Sequence, residues 1–89
     1  MTAGRKLHRI LSAVDDQQDM DRLLNEILTD SERHDVELRW RLMELLNEGV
    51  PQREIARRLG VSLCKITRGS RVLKDRRSVS RRMLHGERS

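Results

Sequence analysis

Apolar side chains return every three or four positions along most of this chain and nowhere alternate in the two-residue rhythm of a strand, so the pattern predicts helices and no sheet. Leu7, Ile10, Leu11 and Val14 mark a helix over about 5–13, and Met20, Leu23, Leu24, Ile27 and Leu28 mark a second over 20–28. Between them the acidic run Asp15, Asp16, Asp19, Asp21 reads as a loop or as the start of the second helix. Thr29, three residues before Glu32, has the spacing of a capping box and opens a third helix. That helix runs to about Asn47, with Val36, Trp40, Met43 and Leu46 on one face, Leu42 and Leu45 widening it, and Gly49 as its stop.

The stretch 51–73, PQREIARRLGVSLCKITRGSRVL, then changes character. Ile55, Ala56 and Leu59 fall at helical spacing, Gly60-Val61-Ser62 interrupts, and a second helical stretch carries Leu63, Ile66 and Val72 or Leu73. Two short helices across a tight glycine turn are a helix-turn-helix. A small Ala56 allows a close crossing, Gly60 supplies a left-handed turn residue, and Ile66 fills the angle between the helices. Pro51 suits the first turn of one helix and Ser62 is placed to cap the other. Beyond Lys74, only Val79, Met83 and Leu84 stand among Arg76, Arg77, Arg81, Arg82 and Arg88, so residues 75–89 read either as a short amphipathic helix from about Val79 to His85 or as a frayed basic tail. The expectation is one all-α domain with 1–48 as a helical dimerisation scaffold, 51–74 as the helix-turn-helix and 75–89 as the basic C-terminal segment.

Charge sharpens this picture. Residues 1–50 carry seven Lys/Arg against eleven Asp/Glu, net −4, whereas residues 51–89 carry twelve against three, net +9. A basic half that coincides with a helix-turn-helix is the electrostatic footprint of a nucleic-acid surface. One tryptophan and no Phe or Tyr leave no aromatic platform for single-stranded bases, which favours duplex DNA. A chain of 89 residues builds a thin core, so a second subunit would add stability and a homodimer is expected. No apolar run reaches the length of a membrane span or signal-peptide core, and a lone cysteine builds no disulfide framework, which together point to the cytoplasm.

Helix-turn-helix docking brings the N-terminal residues of the second helix to base edges, making Leu63, Cys64, Lys65 and Thr67 the candidate readers. Lys65 can donate to guanine acceptors, Thr67 to a base or phosphate, and Leu63 or Cys64 can meet a thymine methyl; core packing is the alternative for Leu63. Gln52, Arg53 and Arg57 on the first helix suit phosphates. Trp40 reads as core or dimer-interface packing. His8, His34 and His85 have no metal-site spacing, no catalytic triad or phosphate-cradling loop is visible, and neither a metal nor enzyme activity is expected.

Leu23-Leu24-Asn25, Leu28-Thr29, Glu32-Arg33, Arg39, Glu44, Leu45-Leu46, Gln52-Arg53-Glu54 and Ile66-Thr67-Arg68-Gly69-Ser70 followed by Leu73-Lys74 resemble the tryptophan operon repressor family. ITRGS directly behind a helix-turn-helix is the sharpest element of the likeness. The resemblance implies an intertwined all-helical homodimer in which L-tryptophan, as corepressor, sets the angle of the recognition helices for a palindromic operator. It also implies that Arg39 and Arg68 sandwich the indole, that Arg68 meets the ligand carboxylate, that Gly69 lines the pocket, and that Leu28 and Thr29 come from the other subunit. Guanidinium planes stack on aromatic rings and donate charge-assisted hydrogen bonds to carboxylates, so the chemistry is sound.

Three positions depart from the family pattern. Val72 stands where a serine helps hold the ligand ammonium, Glu26 replaces a leucine at the pocket edge, and Met43 replaces a smaller aliphatic residue. Backbone carbonyls at Glu26 and Leu28, or the Glu26 carboxylate, remain as acceptors. Two other readings stay open: a corepressor-independent helix-turn-helix protein of the transposase-helper type, and a protein-interaction module tethered to DNA by its basic half.

Overall fold

A computed structural model describes residues 2–86, and every regular element among them is helical: α1 Ala3–Ala13, α2 Gln17–Ile27, α3 Asp30–Asn47, α4 Gln52–Leu59, α5 Leu63–Lys74 and α6 Val79–Leu84. The chain divides into two compact units, Met1–His34 and Asp35–Ser89.

In the first unit, short polar side chains fix the helix starts. The Thr2 hydroxyl accepts from the Arg5 N–H at 3.3 Å, and the Asp16 carboxylate from the Asp19 N–H at 3.3 Å. Asp16 thereby starts α2 three residues before its first apolar position, so the acidic run is partly cap and partly helix. The capping box at α3 closes in both directions: Thr29 N–H donates to Glu32 Oε1 at 2.9 Å and Glu32 N–H to Thr29 Oγ1 at 3.1 Å. Arg33 ties this start to α2, donating to the Asp21 carbonyl at 2.9 Å, to Asn25 Oδ1 at 2.7 Å and to Asp21 Oδ1 at 2.6 Å. Neither α1 nor α2 contains a buried residue, and Leu7, Ile10 and Ile27 stay exposed.

The second unit holds the core. Leu42 and Leu45 of α3, Ile55 of α4 and Ile66 of α5 are buried, with Met43, Leu46, Val50, Ala56, Leu59 and Val61 packed around them. The inward stripe of α3 is therefore the Leu42–Leu45 side, which the periodicity treats as a widening. Val36 and Trp40, expected on the apolar face with Met43 and Leu46, are 49% and 37% exposed. α4 and α5 occupy the other side of α3, so Trp40 is not a core residue of this chain.

Glycine sets both joints. Gly49, at φ +86°, ends α3, with Val50 N–H reaching the Leu45 carbonyl at 3.1 Å. Gly60, at φ +64°, caps α4 in the left-handed conformation, its N–H on the Ala56 carbonyl at 2.9 Å. Pro51 precedes α4 as its cap rather than entering the first turn. Ser62 accepts from the Lys65 N–H at 3.4 Å and opens α5, completing the helix-turn-helix.

Past Lys74 the basic segment folds as a helix. Ser78 caps α6 by accepting from the Arg81 N–H at 3.1 Å, which answers the alternative of a frayed tail for Val79–Leu84; Arg88 lies outside the described residues.

Candidate functional site

A cavity of about 360 Å³ opens between α3, α5 and α6. From α3 it is lined by Arg39, Leu42 and Met43, and from α5 by Lys65, Arg68, Gly69 and Val72; Ser80 of α6 completes the wall. The α5 members follow helical spacing, i, i+3, i+4 and i+7, so a single face of that helix builds one side. The volume is in the range of small-molecule sites.

Gly69 makes this geometry possible. A Cβ there would stand 2.5 Å from Leu42 Cδ1 and 3.4 Å from Met43 Cγ, so any side chain at 69 would force the buried Leu42 to shift or α5 to back away from α3. The same residue thus contributes to core packing and to the cavity wall.

Of the residues expected around a ligand, the fold brings Arg39, Arg68 and Gly69 together at the cavity, and Val72 lines it as well. Leu28 and Thr29, expected from a second subunit, lie in the first unit; Leu28 caps the C-terminus of α2 and Thr29 caps α3. Sequence reasoning missed three wall residues, the core residue Leu42 among them. Lys65, read there as a base contact, also lines the cavity, and its spacing to Arg68, Gly69 and Val72 was a usable signal. Ser80 had none, because only the return of α6 along α5 brings it there.

The lining is electrostatically one-sided: Arg39, Lys65 and Arg68 are cations, and no carboxylate lines the wall. An anionic group is favoured here, and the apolar surface of Leu42, Met43 and Val72 suits a hydrophobic body attached to it.

At the N-terminal end of α5, Leu63 is 48% exposed, which removes core packing as its role. Cys64 and Thr67 are exposed too, and the Thr67 hydroxyl donates to the Leu63 carbonyl at 2.9 Å. Gln52 and Arg53 are exposed in the first turn of α4. Arg57 is exposed but engaged: its guanidinium donates to both oxygens of Glu54, and Arg58 Nε donates to the same carboxylate at 2.8 Å. The hydrogen bonds from Arg57 and then Arg58 hold the Glu54 carboxyl at about 2, from an ordinary 4.5, and Arg57 is raised in return. A depressed carboxyl contributes stability above its ordinary value and loses it as pH falls. The Glu54→Gln variant is therefore expected to flatten the stability profile between pH 4.5 and about 2, measured by chemical denaturation; an unchanged profile would show that the cluster is fully screened.

Among the described residues no cluster of His, Cys, Asp or Glu could hold a metal ion, and no helix is long and apolar enough to cross a membrane.

Comparison with known proteins gives a consistent answer. The profile of the Trp repressor protein family matches residues 5–88. A Trp operon repressor homolog of Xylella fastidiosa strain M23 is 49% identical over 74 residues, covering 82% of this chain and 80% of the relative. Another, from Chlamydia trachomatis serovar D, is 49% identical over 53 residues, 58% of this chain and 56% of the relative. A third, from Pasteurella multocida, is 45% identical over 53 residues, 58% of this chain and 52% of the relative. No solved structure gives a significant match. A profile match spanning nearly all of the helices, joined to a helix-turn-helix whose second member carries the cavity arginine and its neighbouring glycine, means that this chain belongs to the Trp repressor family.

Proposed function

We propose that the protein is a transcriptional repressor that binds duplex DNA as a homodimer and is activated by L-tryptophan held in the cavity beside α5. Family membership supports the coarser part of this reading, DNA-binding repression. The observation that carries the finer part is the convergence of Arg39, Arg68 and Gly69 on one cavity whose wall is also the back of the recognition helix. A ligand in that space touches the helix whose opposite, exposed side presents Leu63, Cys64 and Thr67 to a major groove. Its binding would thus fix the angle of α5, with Arg39 and Arg68 stacking on the indole and Arg68 receiving the carboxylate. Residues 1–48 would form the dimerisation scaffold, Leu28 and Thr29 closing the cavity of the other subunit. Two-fold symmetry then calls for a palindromic operator with half-sites about one helical turn apart. The exposed Trp40 and Val36 fit a face covered by the second subunit.

Selection of duplexes from a randomised pool, with and without L-tryptophan, tests the reading. A palindrome enriched only with tryptophan is the expected result. Equal enrichment in both arms would remove tryptophan as the switch and favour the corepressor-independent alternative, to which the apolar Val72 in the cavity wall lends weight. On the recovered operator, Lys65→Ala is expected to reduce discrimination against random DNA by about tenfold, the value of one good base contact. Arg53→Ala is expected to weaken both sequences alike and lower the salt slope by about one. Equal losses on operator and random DNA for Lys65→Ala would confine Lys65 to the cavity.

A further inference from the structure

A zwitterionic amino acid in this cavity meets a difficulty that the wall itself makes plain. Its carboxylate has three cations to choose from, but its ammonium lies among those same cations with no carboxylate in the lining. An ammonium so placed needs hydrogen-bond acceptors, and leaving it without one is costly in a partly enclosed site. Of the side chains on the wall, the aliphatic and thioether groups of Leu42, Met43 and Val72 offer no oxygen, and Arg39, Lys65 and Arg68 only donate. Among the side chains of this wall Ser80 alone carries an oxygen, and the Glu26 and Leu28 acceptors would have to come from the second subunit.

The fold supplies that oxygen deliberately placed. Ser78 starts α6 and spends its hydroxyl on the Arg81 N–H, which turns the chain back along α5 and leaves Ser80, two residues on, at the cavity. Thr29, the hydroxyl expected from a second subunit, already accepts from the Glu32 N–H as a helix cap. We infer that Ser80 Oγ receives the ammonium of the bound amino acid, so that α6 selects an α-amino acid over the corresponding des-amino acid. This inference rests on the proposed tryptophan site and names a selecting residue for it. It also gives α6 a part in the ligand response, because the hydroxyl that meets the ammonium belongs to a helix packed on the recognition helix.

The test compares two ligands that differ only in the ammonium, L-tryptophan and indole-3-propionate, by titration calorimetry on the full-length wild-type, Ser80→Ala and Ser80→Thr proteins. Alanine is well tolerated within a helix, and circular dichroism and thermal melting confirm that each variant is folded. Ser80→Ala is expected to weaken tryptophan by about tenfold, the value of one hydrogen bond to a charged group, and indole-3-propionate by less than about twofold. Ser80→Thr, which keeps the hydroxyl, is expected to retain most of the tryptophan affinity. Unchanged tryptophan affinity in Ser80→Ala would assign the ammonium to another acceptor, such as the Glu26 carboxylate, and overturn the inference while leaving the cavity as the tryptophan site. Parallel losses for both ligands would reduce Ser80 to a wall residue and overturn it equally. Wild-type protein that binds indole-3-propionate but not tryptophan would overturn it together with the tryptophan reading, and wild-type protein that binds neither would do the same.

Discussion

Gly69→Val is expected to lower the thermal unfolding midpoint by roughly 5–20 °C, the equivalent of about 1–3 kcal/mol of overpacking in a domain of this size. The added carbons have nowhere to go: the first would lie 2.5 Å from Leu42 Cδ1, and Leu42, only 2% exposed, is itself held by the core. Valine is more telling than alanine here. Gly→Ala in a helix interior gains about 1 kcal/mol of propensity, which would mask part of the clash, whereas valine gains less and adds branched bulk. Differential scanning calorimetry of the variant reads the effect directly. A midpoint equal to or above that of the parent would mean that α5 can move away from α3 at little cost, and that Gly69 is not needed for the crossing.

The second large effect belongs to the ligand. Arg68→Ala is expected to weaken tryptophan binding by roughly 10- to 100-fold, since in the proposed site it would remove a charge-assisted hydrogen bond to the carboxylate and one face of the stacking pair. Arg68 is exposed, so the fold should survive its truncation and the melting curve should stay close to that of the parent. Titration calorimetry separates the two readouts. Unaltered affinity in a folded variant would dismiss the cavity as the tryptophan site, whatever DNA the protein binds.

Much of the architecture is legible in the sequence, for physical reasons that differ by element. The helix-turn-helix announces itself because its joints depend on residues with special backbone behaviour: Gly60 takes the left-handed conformation it was assigned, and Ser62 caps α5. The capping box at Thr29 and Glu32 is a purely local device and forms as its spacing implies. What the periodicity misjudged is which part of the wide apolar face of α3 turns inward. Val36 and Trp40 fall in step with Met43 and Leu46, which border the core, and only the positions of α4 and α5 make Leu42 and Leu45 the buried pair. An apolar stripe records that a face is to be covered, not whether its own chain covers it.

The cavity shows the same division. Arg39, Arg68 and Gly69 were named from family likeness, and Lys65 was open to discovery from its place on the same helical face. Ser80 was not, because its role depends on the path of the chain between Lys74 and Val79, and a stretch of arginines and serines carries little information about direction. Arg57, expected at a phosphate, also donates to Glu54, a pairing that the three-residue spacing of the two on α4 makes legible.

The hydrophobic cluster has one more consequence, for how the chain acquires its shape. Every buried and partly buried member of that cluster lies between positions 42 and 66, and none comes from α1, α2 or α6. Contacts this local close only short loops, so the entropy spent before they form is small and their assembly is fast. The nucleus of this protein can therefore consolidate from α3, α4 and α5 alone, with α6 packing onto α5 afterwards.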